Sequence, residues 1–284
     1  MEKKHTDLFA FDLDGTLVHR DVLGQRIIPG ILLTELFKIA EQAHMVIATG
    51  RRYRAAFQDI QVLPKMPFAI VNNGVVIKDG AGITVHRTIL TPKEAHAIAT
   101  ILEGNGLDCF FVVDGYDEQL DFIFAEDQFH RSEALQVVYN RTPQTSLVLK
   151  NRDDLLSFSQ APIVEIAALG PYHDLLAQQQ QLVRLLPESV RAVVIKNIGY
   201  EGWAALEILR STSSKWTAVE YVKEKLGATR VIAIGDDEND MEMIKSADVG
   251  IVMSHAEPHV LKASLRRAEG AEGLAAFLRE FYSR

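Results

Sequence analysis

Short hydrophobic runs rich in β-branched and aromatic residues alternate along the chain with longer stretches in which apolar residues recur at helical spacing. At the start, runs at 8–11, 45–48 and 68–71 are separated by helical patterns at 31–43 and 53–60. Near the end, runs at 231–234 and 249–252 accompany helical patterns at 217–226, 240–245 and 274–282. This rhythm predicts parallel β-α-β units, and we expect both parts of the chain to contribute to one α/β sheet.

The middle of the chain has a different pattern. Apolar runs at 75–77 and 83–85 flank a turn with two glycines, which is typical of a β-hairpin. Thr91, Pro92 and Glu94 form a capped helix start, so a helix is expected from Pro92 to about residue 103. Further strands are predicted at 109–113, 120–125, 146–149, 163–168 and 190–195, with a helix at 172–185. We therefore predict an α/β core at 1–83 and 208–284 with an α+β domain inserted at 84–207.

Composition narrows the classes of function. Hydrophobic residues make up 48% of the 284 residues and charged residues 24%, as in ordinary globular proteins. The formal net charge of −8 argues against a nucleic-acid partner held by phosphate contacts. Cys109 is the only cysteine, which excludes an internal disulfide and a cysteine-based zinc cluster. No apolar stretch approaches a membrane span or the hydrophobic region of a signal peptide, so a cytoplasmic location is expected.

Acidic residues follow the first predicted strand. The run Asp12-Leu13-Asp14-Gly15-Thr16 places two carboxylates at the carboxyl end of a strand, which is where ligands bind in α/β folds. Taken alone, an Asp-x-Asp-Gly run is just as typical of a turn.

A second acidic run, Gly235-Asp236-Asp237-Glu238-Asn239-Asp240, follows the predicted strand at 231–234. Acidic residues at a helix start are also stabilised by the helix dipole, which explains one such cluster but not two. If both clusters lie at one sheet edge, their mutual repulsion requires a cation, and hard oxygen ligands favour Mg²⁺ over zinc.

Two further segments carry candidate anion-binding groups. Thr49 and Gly50 follow the strand at 45–48 and open a helix, where a hydroxyl and backbone N–H groups face an anion. An ordinary N-cap threonine is an equal alternative for this segment. Lys215 precedes the helix at 217–226, a position where a neighbouring anion would offset the unfavourable helix dipole. In isolation, a surface position is the usual state of a lysine.

The ordered set of these motifs resembles the haloacid dehalogenase (HAD) superfamily. The resemblance covers about the first 80 and the last 75 residues and consists of Asp-x-Asp-Gly-Thr, Thr-Gly-Arg, a lysine and Gly-Asp-x-x-Asn-Asp. An insertion after the Thr-Gly-Arg motif, preceded by Asn73-Gly74, is similar to the C2B cap of Cof-type sugar phosphatases of subfamily IIB. This implies a Rossmann-like HAD core with an inserted cap domain.

The resemblance also implies a mechanism and a set of site residues. Asp12 is expected to attack phosphorus and form an aspartyl-phosphate, and Asp14 to act as general acid and base. The implied Mg²⁺ ligands are Asp12, the backbone carbonyl of Asp14, Asp236 and Asp240. The implied phosphate-binding residues are Thr49, Gly50, Lys215 and Asn239, where Asn239 orients Lys215 or a phosphoryl oxygen. Arg51 and Asn73 are candidate substrate-binding residues.

Three positions depart from the family pattern. Trp216 stands where a glycine usually follows the lysine, and Arg52 stands where proline is frequent. His255 lies in a Ser254-His255-Ala256 run in place of Gly-Asn-Ala, and it is expected either to face substrate or to occupy a surface turn.

The motifs predict a Mg²⁺-dependent phosphatase acting on small phosphorylated metabolites such as sugar or cofactor monophosphates. A phosphosugar mutase carries the same motifs and remains an alternative, and a non-enzymatic phospholigand sensor is a second one. Loops at 114–118 and 196–200 are candidate specificity elements. The oligomeric state is not predicted.

Overall fold

The structure, a computed structural model, describes residues 6–114, 119–157, 162–196 and 202–282. The chain divides into two compact units, which we call the core unit (Met1–His86 with Ser213–Arg284) and the inserted unit (Arg87–Thr212). In the two predicted specificity loops, residues 115–118 and 197–200 lie outside the described residues. Within the described ranges, no helix combines the length and the apolar character needed to cross a membrane.

The strands and helices are numbered in chain order. The strands are β1 (Asp7–Phe11), β2 (His19–Arg20), β3 (Arg26–Ile27), β4 (His44–Ala48), β5 (Phe68–Val71), β6 (Val76–Asp79), β7 (Thr84–Arg87), β8 (Cys109–Val113), β9 (Phe122–Ala125), β10 (Ser146–Leu149), β11 (Ile163–Gly170), β12 (Val190–Ile195), β13 (Ala204–Arg210), β14 (Arg230–Gly235), β15 (Val249–Met253) and β16 (Arg267–Ala268). The helices are α1 (Gly30–Ala40), α2 (Tyr53–Gln61), α3 (Pro92–Gly104), α4 (Glu126–Phe129), α5 (Glu133–Arg141), α6 (Asp154–Ser157), α7 (Tyr172–Leu182), α8 (Lys215–Leu226), α9 (Met241–Ser246) and α10 (Gly270–Tyr282).

The core unit contains an eight-stranded sheet in the order β16-β15-β14-β1-β4-β5-β6-β7. Its strands from β16 to β5 are parallel, and β6 pairs antiparallel with β5. Alternate residues of β1 face opposite sides of the sheet. Phe9 packs in a cluster with Leu36 of α1 and with α10, whereas Leu8 packs in a cluster with Val219 of α8. Helices therefore cover both faces, and the predicted α/β class with a parallel core sheet is confirmed.

The register of the sheet brings three strand ends to one edge. Phe11 of β1 lies opposite Ile47 of β4 and Ile234 of β14. The backbone N–H of Asp12 donates to the carbonyl of Ile234 at 2.9 Å, which extends the ladder by one residue. Because parallel strands point the same way, the segments that follow β1, β4 and β14 emerge at the same edge.

The inserted unit contains a six-stranded sheet in the order β10-β9-β8-β11-β13-β12. Helices α3 and α7 pack on one face of it through residues such as Leu102 and Leu182. The predicted capping box of α3 is present, since Thr91 accepts a hydrogen bond from the Glu94 N–H and the Glu94 carboxylate accepts one from the Thr91 N–H. This unit therefore has mixed α and β structure around its own hydrophobic cluster.

The sequence pattern missed β13 and α5. The segment that forms β13 is rich in alanine and leucine, which favour helices, and pairing with β11 and β12 outweighs that preference. The predicted domain boundary after residue 207 falls inside this strand, and the inserted unit instead continues to Thr212. The Gln-rich helix is also shorter than predicted, ending at Leu182 instead of residue 185.

Candidate active site

Asp12 occupies a buried position at the carboxyl end of β1. It is 4% exposed, and the next residue, Leu13, is fully buried in the hydrophobic cluster on one face of the sheet. Gly15 then adopts a φ of +84°, a conformation that favours glycine. A side chain at Gly15 would also overlap the carboxylate of Asp236, so the turn after Asp12 requires glycine for two reasons.

Lys215 is the first residue of α8, and its ammonium group reaches the buried carboxylates. Its Nζ donates to Asp12 Oδ1 at 2.6 Å and to Asp240 Oδ1 at 2.7 Å, and its side chain is 1% exposed. Ser214 caps the helix by accepting from the Thr217 N–H, which holds Lys215 in the first turn. Burial opposes the charged form, but the two carboxylates outweigh it and raise the pKa of Lys215 above its usual value. Lys215 is therefore a buried cation and not a surface lysine.

Asp240 is fully buried and is held by its own loop. Its Oδ2 accepts hydrogen bonds from the N–H groups of Asp236 and Asp237, each at 3.1 Å. Gly235 lies against this carboxylate, and a side chain at that position would collide with it. The loop after β14 thus folds around the Asp240 side chain, which explains a glycine and an aspartate at this spacing.

Asp12, Asp236 and Asp240 form a carboxylate cluster in which one oxygen from each residue lies within 4.8 Å of the others. Burial, with the charges of Asp240 and Asp236, raises the pKa of Asp12 well above its usual range. Burial also raises the pKa of Asp240. When all are ionised, the three carboxylates and the Lys215 ammonium carry three negative charges and one positive charge, a net charge of −2. The donor set fits a hard divalent cation.

Two side chains hold Asp236 from outside the cluster. Thr16, the last residue of the first motif, donates to Asp236 Oδ1 at 3.1 Å. His255 Nε2 lies 3.1 Å from Asp236 Oδ2, and this hydrogen bond raises the pKa of His255. His19 lies close to His255 and makes a hydrogen bond with the Thr16 carbonyl, while burial lowers the pKa of His19. His255 therefore contacts a predicted metal ligand, a role that the sequence did not reveal.

Thr49 and Gly50 lie in a loop after β4 that is braced by Asn73. Thr49 is 1% exposed, its hydroxyl accepts from the Arg51 N–H, and its carbonyl accepts from the Asn73 N–H at 3.1 Å. Asn73 Oδ1 lies beside Gly50 and accepts from Asn239 Nδ2 at 2.8 Å. Asn239 was expected to orient Lys215 or a phosphoryl oxygen. Its hydrogen bond instead goes to Asn73, and its buried Oδ1 has no hydrogen-bond partner among the described residues.

Asp14 lies away from the buried cluster, with 53% of its side chain exposed. Both of its oxygens accept hydrogen bonds from the Arg51 guanidinium, and Arg26 of β3 forms an ion pair with it at 3.4 Å. Asp59 of α2 accepts from Arg51 at 2.7 Å and from Arg26 at 2.8 Å. Asp14, Arg51, Asp59 and Arg26 thus form a ring of alternating charges, which we call the Asp14 ring.

The structure therefore sorts the predicted site residues into three neighbouring groups of the core unit. Asp12, Lys215, Asp236 and Asp240 meet in the carboxylate cluster. Thr49 and Gly50 lie in the loop that Asn73 braces, and Asn239 contacts Asn73. Asp14 and Arg51 belong to the Asp14 ring.

Several contacting residues were not predicted. Thr16 belongs to the Asp-x-Asp-Gly-Thr motif, although no contact was predicted for it. Arg26 and Asp59 lie outside every motif, so the sequence gives no indication that they contact the site. Two of the positions that depart from the family pattern have structural roles. Trp216 is partly buried and packs against the hydrophobic cluster that contains Leu8, and Arg52 is the N-cap of α2.

Comparison with known proteins places this site in a family. Residues 9–268 match the family model described as haloacid dehalogenase-like hydrolase. The 5-amino-6-(5-phospho-D-ribitylamino)uracil phosphatase YitU of Bacillus subtilis (strain 168) is 26% identical, with 97% of each chain covered. The HMP-PP phosphatase of Serratia proteamaculans (strain 568) is 25% identical, with 89% of this chain and 85% of the relative covered. The solved structure of the HAD subclass IIB sugar phosphatase BT4131 has a TM-score of 0.71 at 18% identity, covering 98% of this chain and 99% of the other.

These matches define a phosphatase-type hydrolase with an α/β core, so the prediction of a phosphoric monoester hydrolase is confirmed. The chain belongs to the haloacid dehalogenase-like hydrolase family. The resemblance to Cof-type members of subclass IIB is confirmed as well.

Proposed function

We propose that this chain is a Mg²⁺-dependent phosphatase that hydrolyses small phosphorylated metabolites, namely sugar or cofactor monophosphates, through an aspartyl-phosphate on Asp12. The observation that carries the proposal is the buried cluster in which Lys215 bonds both Asp12 and Asp240 beside Asp236. A structural role alone gives no reason to bury several like charges with Lys215 as their one cation among the described residues, because burying unpaired charge is costly.

Mg²⁺ would be held by Asp12, Asp236 and Asp240 together with the backbone carbonyl of Asp14. When bound, it supplies positive charge that offsets the negative charge on the transferred phosphoryl group. The fit rests on the all-oxygen donor set and on the net charge of −2 that the cluster carries when ionised.

Asp12 is the proposed nucleophile. Its Oδ2 forms a bond to phosphorus while the bond from phosphorus to the ester oxygen breaks. Lys215 already occupies Oδ1 at 2.6 Å, which leaves Oδ2 for the attack. A nucleophilic carboxylate must be ionised, and Lys215 opposes the burial that raises the pKa of Asp12.

Asp14 is the proposed general acid and base. It gives a proton to the departing ester oxygen, and its carboxylate then accepts a proton from the water that hydrolyses the aspartyl-phosphate. Its exposure suits exchange of protons with solvent, in contrast to the buried Asp12. Both oxygens of Asp14 accept hydrogen bonds from Arg51, so Asp14 must leave Arg51 before it can donate a proton to the ester oxygen.

The phosphoryl oxygens are proposed to bind Thr49, the Gly50 N–H, Lys215 and Asn239, with Arg51 and Asn73 contacting substrate. Fixed donors of this kind stabilise charge that develops in the transition state. The buried Oδ1 of Asn239 has no donor among the described residues and can only accept, so it fits a substrate hydroxyl or amine, whereas only the second hydrogen of Nδ2 could donate to a phosphoryl oxygen. The inserted unit is proposed to act as the cap that selects the substrate.

The substrate class rests on the relatives. YitU is a phosphatase for a phosphorylated ribitylaminouracil, another relative is an HMP-PP phosphatase, and BT4131 is a sugar phosphatase. All three names describe phosphorylated small molecules. The cytoplasmic location and the absence of a nucleic-acid partner stay predictions from the sequence.

The test is a phosphate-release screen across sugar, nucleotide and cofactor monophosphates with Mg²⁺ and with EDTA. We expect stoichiometric inorganic phosphate with Mg²⁺, none with EDTA, and none from an Asp12→Asn variant, whose amide cannot attack phosphorus. Activity that survives in the variant would refute the mechanism. Isomerised sugar phosphate without loss of organic phosphate would identify a mutase, and no reaction with any ester would favour a sensor.

A further inference from the structure

We propose that His255 is a positioning residue that fixes the Asp236 carboxylate in the orientation in which it binds the divalent cation. This inference rests on the proposed function, because it assumes that Asp236 is a metal ligand. It assigns a role to a side chain that neither the motifs nor the relatives' names describe.

Asp236 differs from the other two carboxylates of the cluster. The two hydrogen bonds of Lys215 go to Asp12 and Asp240, which are almost fully buried. Asp236 instead has side-chain partners on the outer side of the cluster, with Thr16 at Oδ1 and His255 at Oδ2, each at 3.1 Å. Each oxygen of Asp236 therefore has its own donor.

The contact with His255 is held by the backbone on both sides of it. His255 follows β15, whose last residue, Met253, is fully buried. The Ser254 N–H donates to the Ala268 carbonyl at 2.8 Å, and the Ala256 N–H donates to the Met253 carbonyl at 3.1 Å. These bonds form a tight turn that presents His255 to Asp236, so the contact does not depend on a mobile loop.

Orientation matters because the terminal torsion of an aspartate is soft and populates a broad range of angles. A cation that binds a freely rotating carboxylate must pay the entropy of fixing it. Hydrogen bonds from Thr16 and His255, together with the close approach of Gly15, restrict that rotation before the cation arrives. Loss of such an outer partner typically weakens metal affinity by about 10–100-fold.

Two variants of His255 distinguish the effect of its hydrogen bond from the effect of its side-chain size. His255→Leu removes the donor at similar size, and His255→Gln restores an N–H donor. His259→Leu is the matched control, because His259 lies four residues on, is 53% exposed and approaches Glu238, which is not a proposed ligand, at 3.6 Å. The full chain is stripped with EDTA, and binding of Mn²⁺ is followed by electron paramagnetic resonance and of Mg²⁺ by calorimetry. Circular dichroism checks folding.

We expect His255→Leu to weaken cation binding at least tenfold, His255→Gln to bind within about threefold of the parent, and His259→Leu to match the parent. In turnover, the Mg²⁺ concentration for half-maximal rate should rise more in His255→Leu than the KM for the phosphate ester does. Unchanged or tighter cation binding by His255→Leu would overturn the inference, and so would a His255→Gln variant as weak as His255→Leu. If the parent binds neither cation, the proposed metal site itself fails, which is a distinct result.

Discussion

Lys215 offers a direct test of how the buried charges of the site are balanced. Its ammonium bonds Asp12 and Asp240, whose side chains are 6% and 0% exposed. Lys215→Met keeps the length and apolar character of the side chain but leaves both carboxylates without their cation. Removing one partner from a buried ion pair costs about 3–5 kcal/mol. We therefore expect the core unit of Lys215→Met to unfold with a free energy lower by about that amount at pH 7 without divalent cations.

The chain contains its own reporter for this measurement. It has two tryptophans, Trp203 in the inserted unit and Trp216 packed partly buried in the core unit. In a Trp203→Phe background, the fluorescence of Trp216 follows unfolding of the core unit alone. Urea titrations with EDTA then compare the parent with Lys215→Met. Since domains are stable by about 5–15 kcal/mol, the expected loss is large enough to measure.

A double variant supplies the control. Asp12→Asn combined with Lys215→Met removes the cation together with one of the two charges that it balances. This double variant should be more stable than Lys215→Met alone, because less buried charge is left uncompensated. A Lys215→Met protein within about 1 kcal/mol of the parent, or a double variant no more stable than the single one, would refute the reasoning.

Three further predictions concern the turn at Gly74, Glu94 in the inserted unit, and the Asp14 ring. Gly74→Ala should lower the free energy of unfolding of the core unit by at least about 2 kcal/mol, because Gly74 has a φ of +92° and its added methyl group would overlap the Ser214 carbonyl. Gly227 has a φ of +63° but open space around it, so Gly227→Ala should lower the free energy of unfolding by only about 1 kcal/mol. Equal losses for the two variants in urea titrations would contradict the steric argument. In the inserted unit, hydrogen bonds from Arg210 lower the pKa of Glu94 to about 2, so its ionisation stabilises the fold above its unfolded pKa of about 4.3 and ceases to do so as the pH falls towards 2. Glu94→Gln should therefore be less stable than the parent at pH 7, and the difference in stability should close between about pH 4 and 2. Unfolding is followed by the fluorescence of Trp203 in a Trp216→Phe background. A difference in stability that does not change with pH would count against this prediction. Asp59→Ala removes the carboxylate that competes with Asp14 for Arg51, so Asp14 should leave Arg51 less readily, and hydrolysis of an alkyl phosphate should slow more than that of p-nitrophenyl phosphate, whose leaving group needs no proton. Equal slowing in single-turnover measurements would exclude a role through Asp14.

The sequence pattern predicted the parts of the site that depend on short segments. Asp12, Thr49 and Asp236 each follow an apolar run, and the structure places these runs as β1, β4 and β14, adjacent in one sheet. Because the parallel direction follows from the β-α-β alternation, the convergence of the motifs could be inferred before any contact was known.

Contacts between distant segments were not predictable in this way. Lys215 bonds Asp12 across 203 residues of sequence, and no local pattern distinguished it from a surface lysine. Arg26 and Asp59 lie on different elements and meet only through the fold. Asn72 and Asn73 adopt φ values of 49° and 55°, a conformation that asparagine tolerates better than most residues. An asparagine in a sequence does not by itself predict this conformation.

The strand order of the core sheet has a consequence for biosynthesis. β1 lies between β4 and β14, and its Asp7 is joined to Arg230 by a side-chain contact that spans 223 residues. At about 5–20 residues per second, a ribosome needs roughly 10–45 s to synthesise the intervening chain. During that interval one edge of β1 lacks its native neighbour, and unpaired strand edges promote aggregation. The nascent protein is therefore expected to depend on chaperones at this stage, and Asp12 acquires its lysine and its partner carboxylates only when α8 and β14 have emerged.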